Sequence, residues 1–402
     1  MSIVILGAGG FQGKATLYDL SQCYGLPDII AADCRPEDVQ AYIKEWSTTN
    51  KIKIVKVDAD DERSVSDLLE DSDVVIDLLP STYAMRMVNL AIARGVNLVD
   101  TGYLVDPAAL SDPGTKAIVN QIDEKAKKAG IAILRECGMD PGIDLLMCRE
   151  AVREMDEVYE LTSYGSGFPE AEAANNPLKY KISWNFDGVL RSHKRAGRYL
   201  KDGQIREFTD VKMFSPAHTY TVDIQPFGRL EAFPNGDALA YAEELGISDS
   251  VKSIGRFVFR WPGHTEFWYK MAQLHFLDEK PIQVGDVWVS PRAFLHTLLE
   301  PQLQYSPKEI DIVFIHIEVK GIKNGKQKHL VYQLIDKRDL QTGLMAMQRT
   351  VGFTASIGAQ MILRGDITAK GLLSPLNDVP YSLFEKELGK RNIQITRTES
   401  EP

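Results

Sequence analysis

The stretch that decides the fold is IVILGAGGFQGKATLYDL, residues 3–20. Four apolar residues run into glycines at positions 7, 9, 10 and 13, and a helix-like segment follows at once. Glycine has no Cβ, so it accepts positive φ and lets another group come close to the backbone. A strand, a glycine turn and a helix start together aim backbone N–H groups and the positive end of a helix dipole at an anion. A strict Gly-x-Gly-x-x-Gly pattern would need glycine at 12, where Gln12 stands; Gly7, Gly10 and Gly13, enclosing Phe11 and Gln12, satisfy Gly-x-x-Gly-x-x-Gly. Asp33 follows Gly13 by 20 residues, at the end of a second apolar run, where an acid accepts hydrogen bonds from a ribose. The turn therefore reads as a dinucleotide site. Asp33 repels a 2′-phosphate and favours NAD, while Arg35 beside it leaves NADP open. The plain alternative is a tight strand–helix turn that holds nothing.

Outward from this turn, strand-like runs recur at 28–33, 52–58, 74–80, 96–100 and 131–135, with helical stretches at 61–70, 83–94 and 115–129 between them. VVIDLL and IAIL are almost wholly apolar, as strands buried on both faces of a parallel sheet are. Six such strands predict a Rossmann-type doubly wound sheet of two mononucleotide halves. At the carboxyl edge of that sheet, VKVDADD puts Asp58 near the adenine, or makes it a turn acid before a helix. IDLLPSTY puts Leu79 and Pro80 under the nicotinamide ribose, unless Pro80 only ends its strand. From about residue 156 the pattern turns to alternation, in VYELTSYG, YKISWNF and SIGRFVFRW, with IKNGKQK as a hairpin turn. The expected organisation is a dinucleotide-binding domain over 1–140, completed by C-terminal helices over 345–402. An α+β domain over 141–344, built on a largely antiparallel sheet, makes up the rest; the resemblance described below implies that it binds substrate and forms the dimer contact.

The 402 residues, 44% of them hydrophobic, are enough for two cores. A net charge of −10 leaves no basic surplus for nucleic acid or an anionic membrane. No run approaches the roughly 20 apolar residues of a membrane span. Four cysteines, at 23, 34, 137 and 148, make neither a disulfide framework nor a zinc spacing. The expectation is a cytoplasmic protein without a metal.

TGYLVD at 101–106, ECGMDPGID at 136–144, NNPLKYKISW at 175–184 and FPNGD at 233–237 resemble motifs of the saccharopine dehydrogenase family, glutamate-forming branch. LEAF at 230–233, RWPGH at 260–264 and TVGFTASIGAQMI at 350–362 are similar to L-lysine 6-dehydrogenases of the same superfamily. The resemblance implies oxidation of a C–N bond by a nicotinamide cofactor, and a homodimer. Carried over residue by residue, it implies that Tyr103 and Asp140 are catalytic and that Asn176, Tyr180 and Trp184 line the amino-acid pocket. Three positions depart from the fungal pattern: Gly165 replaces Cys, Leu145 replaces His, and Asp187 stands where Arg follows the Ser-Trp pair.

The chemistry sets its own demands. Hydride leaves an amine carbon only if the nitrogen lone pair is free, so a base must face it, and water must then add to the imine. Asp140 suits that role, or else it is a turn acid at a helix start. Tyr103 can donate to the developing amine, or is a half-buried aromatic. A substrate carboxylate needs a cationic donor. Candidates are Arg191, Lys194, Arg195 and Arg198, in a run that otherwise reads as a solvated face, and Arg260 beside a rigid Trp-Pro-Gly, with His264 in the same turn. Three functions follow: a saccharopine dehydrogenase yielding allysine and glutamate, an L-lysine 6-dehydrogenase, or an NAD-binding regulatory protein without turnover. GMDPGID and NNPLKYKISW favour the first; Asp187 and RWPGH favour the second.

Overall fold

The computed structural model describes residues 2–401 apart from 47, 49, 107, 108, 111 and 210. The chain divides into two compact units, Met1–Met147 with Gln348–Gln394, and Cys148–Met347 with Ile395–Pro402. The breaks thus fall at 147/148 and 347/348 rather than at 140/141 and 344/345. Both lie inside continuous helices, Ile143–Arg153 and Ala346–Arg364, so no linker composition marks them. A second difference is at the C-terminus, where Ile395–Ser400 is a strand of the second unit's sheet and not part of the first domain.

In the first unit, β1 (Ser2–Leu6), β2 (Asp28–Asp33), β3 (Ile52–Lys56), β4 (Val74–Asp77), β5 (Asn97–Asp100) and β6 (Ala132–Leu134) lie in the order β6-β5-β4-β1-β2-β3. All their pairings are parallel. A seventh parallel strand, Gly371–Leu373, extends the sheet beside β6. Val4, Leu6, Val75, Leu98 and Ile133 are buried with Met87, Val88, Ile122 and Ala126 of the covering helices. Each such aliphatic side chain contributes about 1.5–3 kcal/mol. The order reverses between β1 and β4, and in open α/β sheets the ligand crevice lies outside the carboxyl ends at that point. On the other side of β1, helix α1 (Phe11–Gln22) meets the returning helix Ala346–Arg364 at close range. The Thr16 hydroxyl donates to Gly352 O at 3.0 Å, and a Cβ at Gly352 would come within 2.8 Å of Gln12 O.

In the second unit seven strands form one path: Tyr220–Ile224, Gly228–Pro234, Ser253–Arg260, Glu157–Pro169, Asp311–Lys323, Lys326–Lys337 and Ile395–Ser400. Neighbours are antiparallel, except that Ser253–Arg260 runs parallel to Glu157–Pro169. The Asn-Gly turn closes the hairpin with Asn324 at φ 52° and Gly325 at φ 72°, the left-handed pair that a two-residue turn needs. Aromatic rings fill this core, Tyr164 stacking on Phe259 at 4.2 Å and Phe259 on Phe314 at 5.8 Å. No helix among the described residues is long and apolar enough to cross a membrane.

Candidate active site

The glycine turn at the end of β1 is built around two positions that exclude a side chain. Gly7 has φ +78°, and a Cβ there would meet Leu78 O at 3.0 Å; a Cβ on Gly13 would lie 2.1 Å from Gly7 O. Gly10 precedes α1 and no side chain caps that helix, so its first-turn N–H groups, at Phe11, Gln12 and Gly13, face an outside acceptor. The residues present therefore fit a pyrophosphate. Asp33 is buried, and each of its oxygens receives a backbone N–H, from Gly9 at 2.8 Å and from Arg35 at 2.9 Å. It locks the turn; Oδ1 also accepts the Cys34 thiol at 3.6 Å, and Oδ2 keeps a lone pair for a further donor. Arg35 is exposed and pairs with Asp38 at 3.1 Å. Asp58 is exposed and accepts the Asp60 N–H at 3.0 Å, which makes it a turn acid. Leu79 N–H donates to Asp77 at 3.1 Å, while Pro80 is exposed at the start of a short 3-10 turn.

The next strand ends hold a group that sequence reasoning missed. Asp77 and Asp100 are register partners on β4 and β5, so both carboxyls stand on one face, and both are buried. Arg135, also buried, follows β6 and reaches Asp100 at 3.4 Å and Gly102 O at 2.6 Å. Burial first, and the neighbouring Asp100 second, push the Asp77 carboxyl well above the usual carboxylate range. Burial also raises Asp100, against the pull of Arg135. Two buried acids so close hold a proton more readily than either would alone. The available signal was a charged residue directly after each of three apolar strands.

This group fixes the loops that carry Tyr103 and Asp140. Asp100 accepts the Gly102 N–H at 2.6 Å, Glu136 N–H donates to Gly102 O at 3.2 Å, and Cys137 N–H donates to Asp100 O at 2.8 Å. The turn bearing Asp140 closes through Gly138 N–H to Pro141 O at 3.1 Å and Gly142 N–H to Asp144 at 2.8 Å. Tyr103 and Asp140 are both half-buried. Cys137 is buried, its thiol donating to Thr354 O at 3.4 Å, and burial pushes its pKa up, away from a nucleophile's. Among the described residues no group of His, Cys, Asp or Glu is placed to hold a metal ion.

In the second unit, Asn176 moulds the turn that positions Tyr180: its carbonyl accepts the Leu178 N–H at 3.0 Å and its amide donates to Tyr180 O at 2.7 Å. Tyr180 is buried. Trp184 is half-buried against Gly188, where a Cβ would lie 2.8 Å from the indole. Arg260 ends its strand 8% exposed, with Nη1 donating to Phe259 O at 2.8 Å. Its guanidinium lies 5.5 Å from the Tyr180 ring and 5.9 Å from that of Phe233. His264 is buried and stacked on Phe233 at 5.8 Å; burial, then Arg260, hold its pKa far below the ordinary value, so it is neutral. The basic run is otherwise engaged. Arg191 pairs with Asp187, Lys194 with Asp278 at 2.6 Å and Arg198 with Asp237 at 2.7 Å, while Arg195 donates to Asn235 at 3.3 Å. Asp187 also holds Arg292 at 3.2 Å.

Residues 3–134 match the family model described as saccharopine dehydrogenase NADP binding domain, and residues 138–393 match saccharopine dehydrogenase C-terminal domain. The chain belongs to the saccharopine dehydrogenase family. Its fold agrees with that of apo saccharopine dehydrogenase (L-Glu forming) from Saccharomyces cerevisiae, with a TM-score of 0.82 at 23% identity over 99% of both chains. The saccharopine dehydrogenase [NADP(+), L-glutamate-forming] of Pyricularia oryzae is 25% identical across 97% of each chain. The alpha-aminoadipic semialdehyde synthase of Arabidopsis thaliana is 27% identical over 85% of this chain, which spans only 38% of that protein's length. This saccharopine dehydrogenase family member is an oxidoreductase of CH–NH donors that uses a nicotinamide cofactor.

Proposed function

We propose that this chain is a glutamate-forming saccharopine dehydrogenase. It takes saccharopine, water and an oxidised nicotinamide cofactor to allysine, glutamate, the reduced cofactor and a proton, reversibly. One observation carries the reading: both family domains match in order, and a relative named for this activity overlaps 97% of the chain. Gly7, Gly10, Phe11, Gln12 and Gly13 would hold the pyrophosphate. Asp33 and Arg35 would flank the adenosine ribose, and Asp58, Leu79 and Pro80 the rest of the groove. The relatives' names specify NADP, but a carboxylate at the end of β2 supports NAD here. When bound, the cofactor supplies a hydride acceptor.

Asp140 then takes the proton from the secondary ammonium, freeing the lone pair, and Tyr103 donates to the nitrogen as the carbinolamine forms and breaks. Asn176, Tyr180, Trp184, Arg260 and His264 line the substrate's amino-acid end. A homodimer in the cytoplasm belongs to the same reading, and sedimentation of the purified chain tests the dimer. The second reading is L-lysine 6-dehydrogenase, favoured by Asp187, whose carboxylate engages two arginines and clamps no substrate acid. Following nicotinamide reduction with saccharopine and then with lysine separates the two. Reduction by saccharopine alone is the expected result. Reduction by lysine alone selects the second reading, and dinucleotide binding without either reaction leaves a regulatory protein.

A further inference from the structure

In the first unit, the stretch between β5 and Tyr103 is held from both sides. Asp100 accepts the Gly102 N–H at 2.6 Å, and Nη2 of Arg135 donates to Gly102 O at 2.6 Å. Glu136 N–H reaches the same carbonyl at 3.2 Å, and Cys137 N–H donates to Asp100 O at 2.8 Å. A Cβ on Gly138 would meet Thr101 O at 3.2 Å, so the two loops pack backbone on backbone. Glu136 stands at φ 59°, a conformation costly for any side chain, and these contacts hold it there. Main-chain bonds alone thus join the loops. Arg135 is 3% exposed, its Nε and Nη1 have no hydrogen-bond partner among the described residues, and its ion pair with Asp100 is 3.4 Å long. A buried guanidinium so poorly answered costs stability, which makes it a poor choice for a mere lock.

Its one engaged nitrogen sits at a telling place. Gly102 has no Cβ, and its carbonyl carbon is bonded to the nitrogen of Tyr103, so rotation at Gly102 swings the phenol. Asp100 fixes one side of that glycine and Arg135 the other, and a charged donor holds a carbonyl more firmly than a neutral amide does. Arg135 also directly precedes the loop that carries Asp140. We infer that Arg135 is a positioning residue for the reaction: through the Gly102 carbonyl, and with Asp100, it sets the direction of the Tyr103 hydroxyl relative to Asp140. It acts without touching substrate or cofactor. The inference rests on the part given to Tyr103 in the proposed reaction, donation to the substrate nitrogen. The glycine turn ends β1, two strands away from β5 in the sheet, so cofactor affinity does not depend on Arg135.

Steady-state kinetics of the full chain test this, with NAD and whichever of saccharopine or lysine the parent oxidises. Arg135→Met should lower kcat about 10–100-fold, while the substrate KM and the NAD dissociation constant stay within about threefold. Only Nη2 is engaged, so a point donor is enough, and Arg135→Lys should bring kcat back to within about fivefold of the parent. In a Tyr103→Phe background, Arg135→Met should cost less than about a further threefold, because nothing is left to position. Asp100→Asn keeps an acceptor for the Gly102 N–H and removes the charge. It should lower kcat about threefold to tenfold, and it decides the matter if Arg135→Met does not fold. Parental kcat in Arg135→Met, or in Asp100→Asn where that variant decides, overturns the inference. So does a lysine variant as slow as the methionine one, or losses that multiply in the double variant. If Tyr103→Phe is slow while Arg135→Met is not, the inference fails and the function stands. If the parent oxidises neither substrate, the proposed function fails and amide hydrogen exchange carries the test. Arg135→Met should then speed exchange across residues 101–104 about tenfold or more and leave residues 7–20 unchanged. Equal protection in the two chains overturns the inference.

Discussion

The two units treat their buried charges differently. In the first, the buried acids at the sheet edge meet answers inside the fold, although the Arg135 guanidinium between them leaves Nε and Nη1 without partners. Asp33 takes two backbone N–H groups, and Asp100 takes the Gly102 N–H and Arg135. In the second, Arg260 and its neighbouring imidazoles meet only aromatic rings and one main-chain carbonyl. The contrast separates scaffold from site.

Three changes in the first unit would break or sharpen that contrast. In the proposed reaction Asp140 acts on substrate from a well-fixed loop, so Asp140→Asn should lower kcat by about 10²–10⁴-fold with NAD affinity kept. A stopped-time assay with saccharopine, beside a cofactor titration, checks it; near-normal turnover would make Asp140 one more shaping residue. Asp33→Ala should shift the kcat/KM ratio from NAD toward NADP by about tenfold or more, through loss of a ribose acceptor and of repulsion toward a 2′-phosphate. An unchanged ratio would leave Asp33 with only its grip on Gly9 and Arg35.

Asp77→Asn has the smallest effect, and its sign is opposite to most buried substitutions. Because the folded state raises the Asp77 pKa, the native protein binds more protons than the unfolded chain as pH climbs out of the carboxylate range. Stability contributed by its proton is complete at low pH and is lost as pH rises. Asn cannot ionise, so the variant should match the parent near about pH 3, below the ordinary carboxylate range, and exceed it by about 1–2 kcal/mol near about pH 8. Denaturant titrations at both pH values measure this. A variant less stable at the higher pH would mean that the ionised carboxyl is wanted there.

The sequence reading was sharpest where the backbone constrains residue type. Gly7 and Gly13 are legible because no other residue fits, and β1, β4 and β6 because strands buried on both faces are nearly all apolar. It was weakest where neither condition holds. The strand Ile395–Ser400 is an exposed edge of mostly polar residues, and Gly371–Leu373 has only three residues. The pairing of Asp77 with Asp100 escaped for another reason: it becomes visible only once strand register is known.

The final strand has a bearing on biosynthesis. Arg397 on it grips Glu154 at 2.5 and 2.6 Å and holds that carboxyl down at about 2. The sheet to which it adds therefore lacks its last edge, and this ion pair, until the ribosome has passed residue 400. The first unit waits almost as long, since residues 348–394 belong to it. Neither half can finish folding before residue 394 has been translated, and no single cut in the gene would release an intact one.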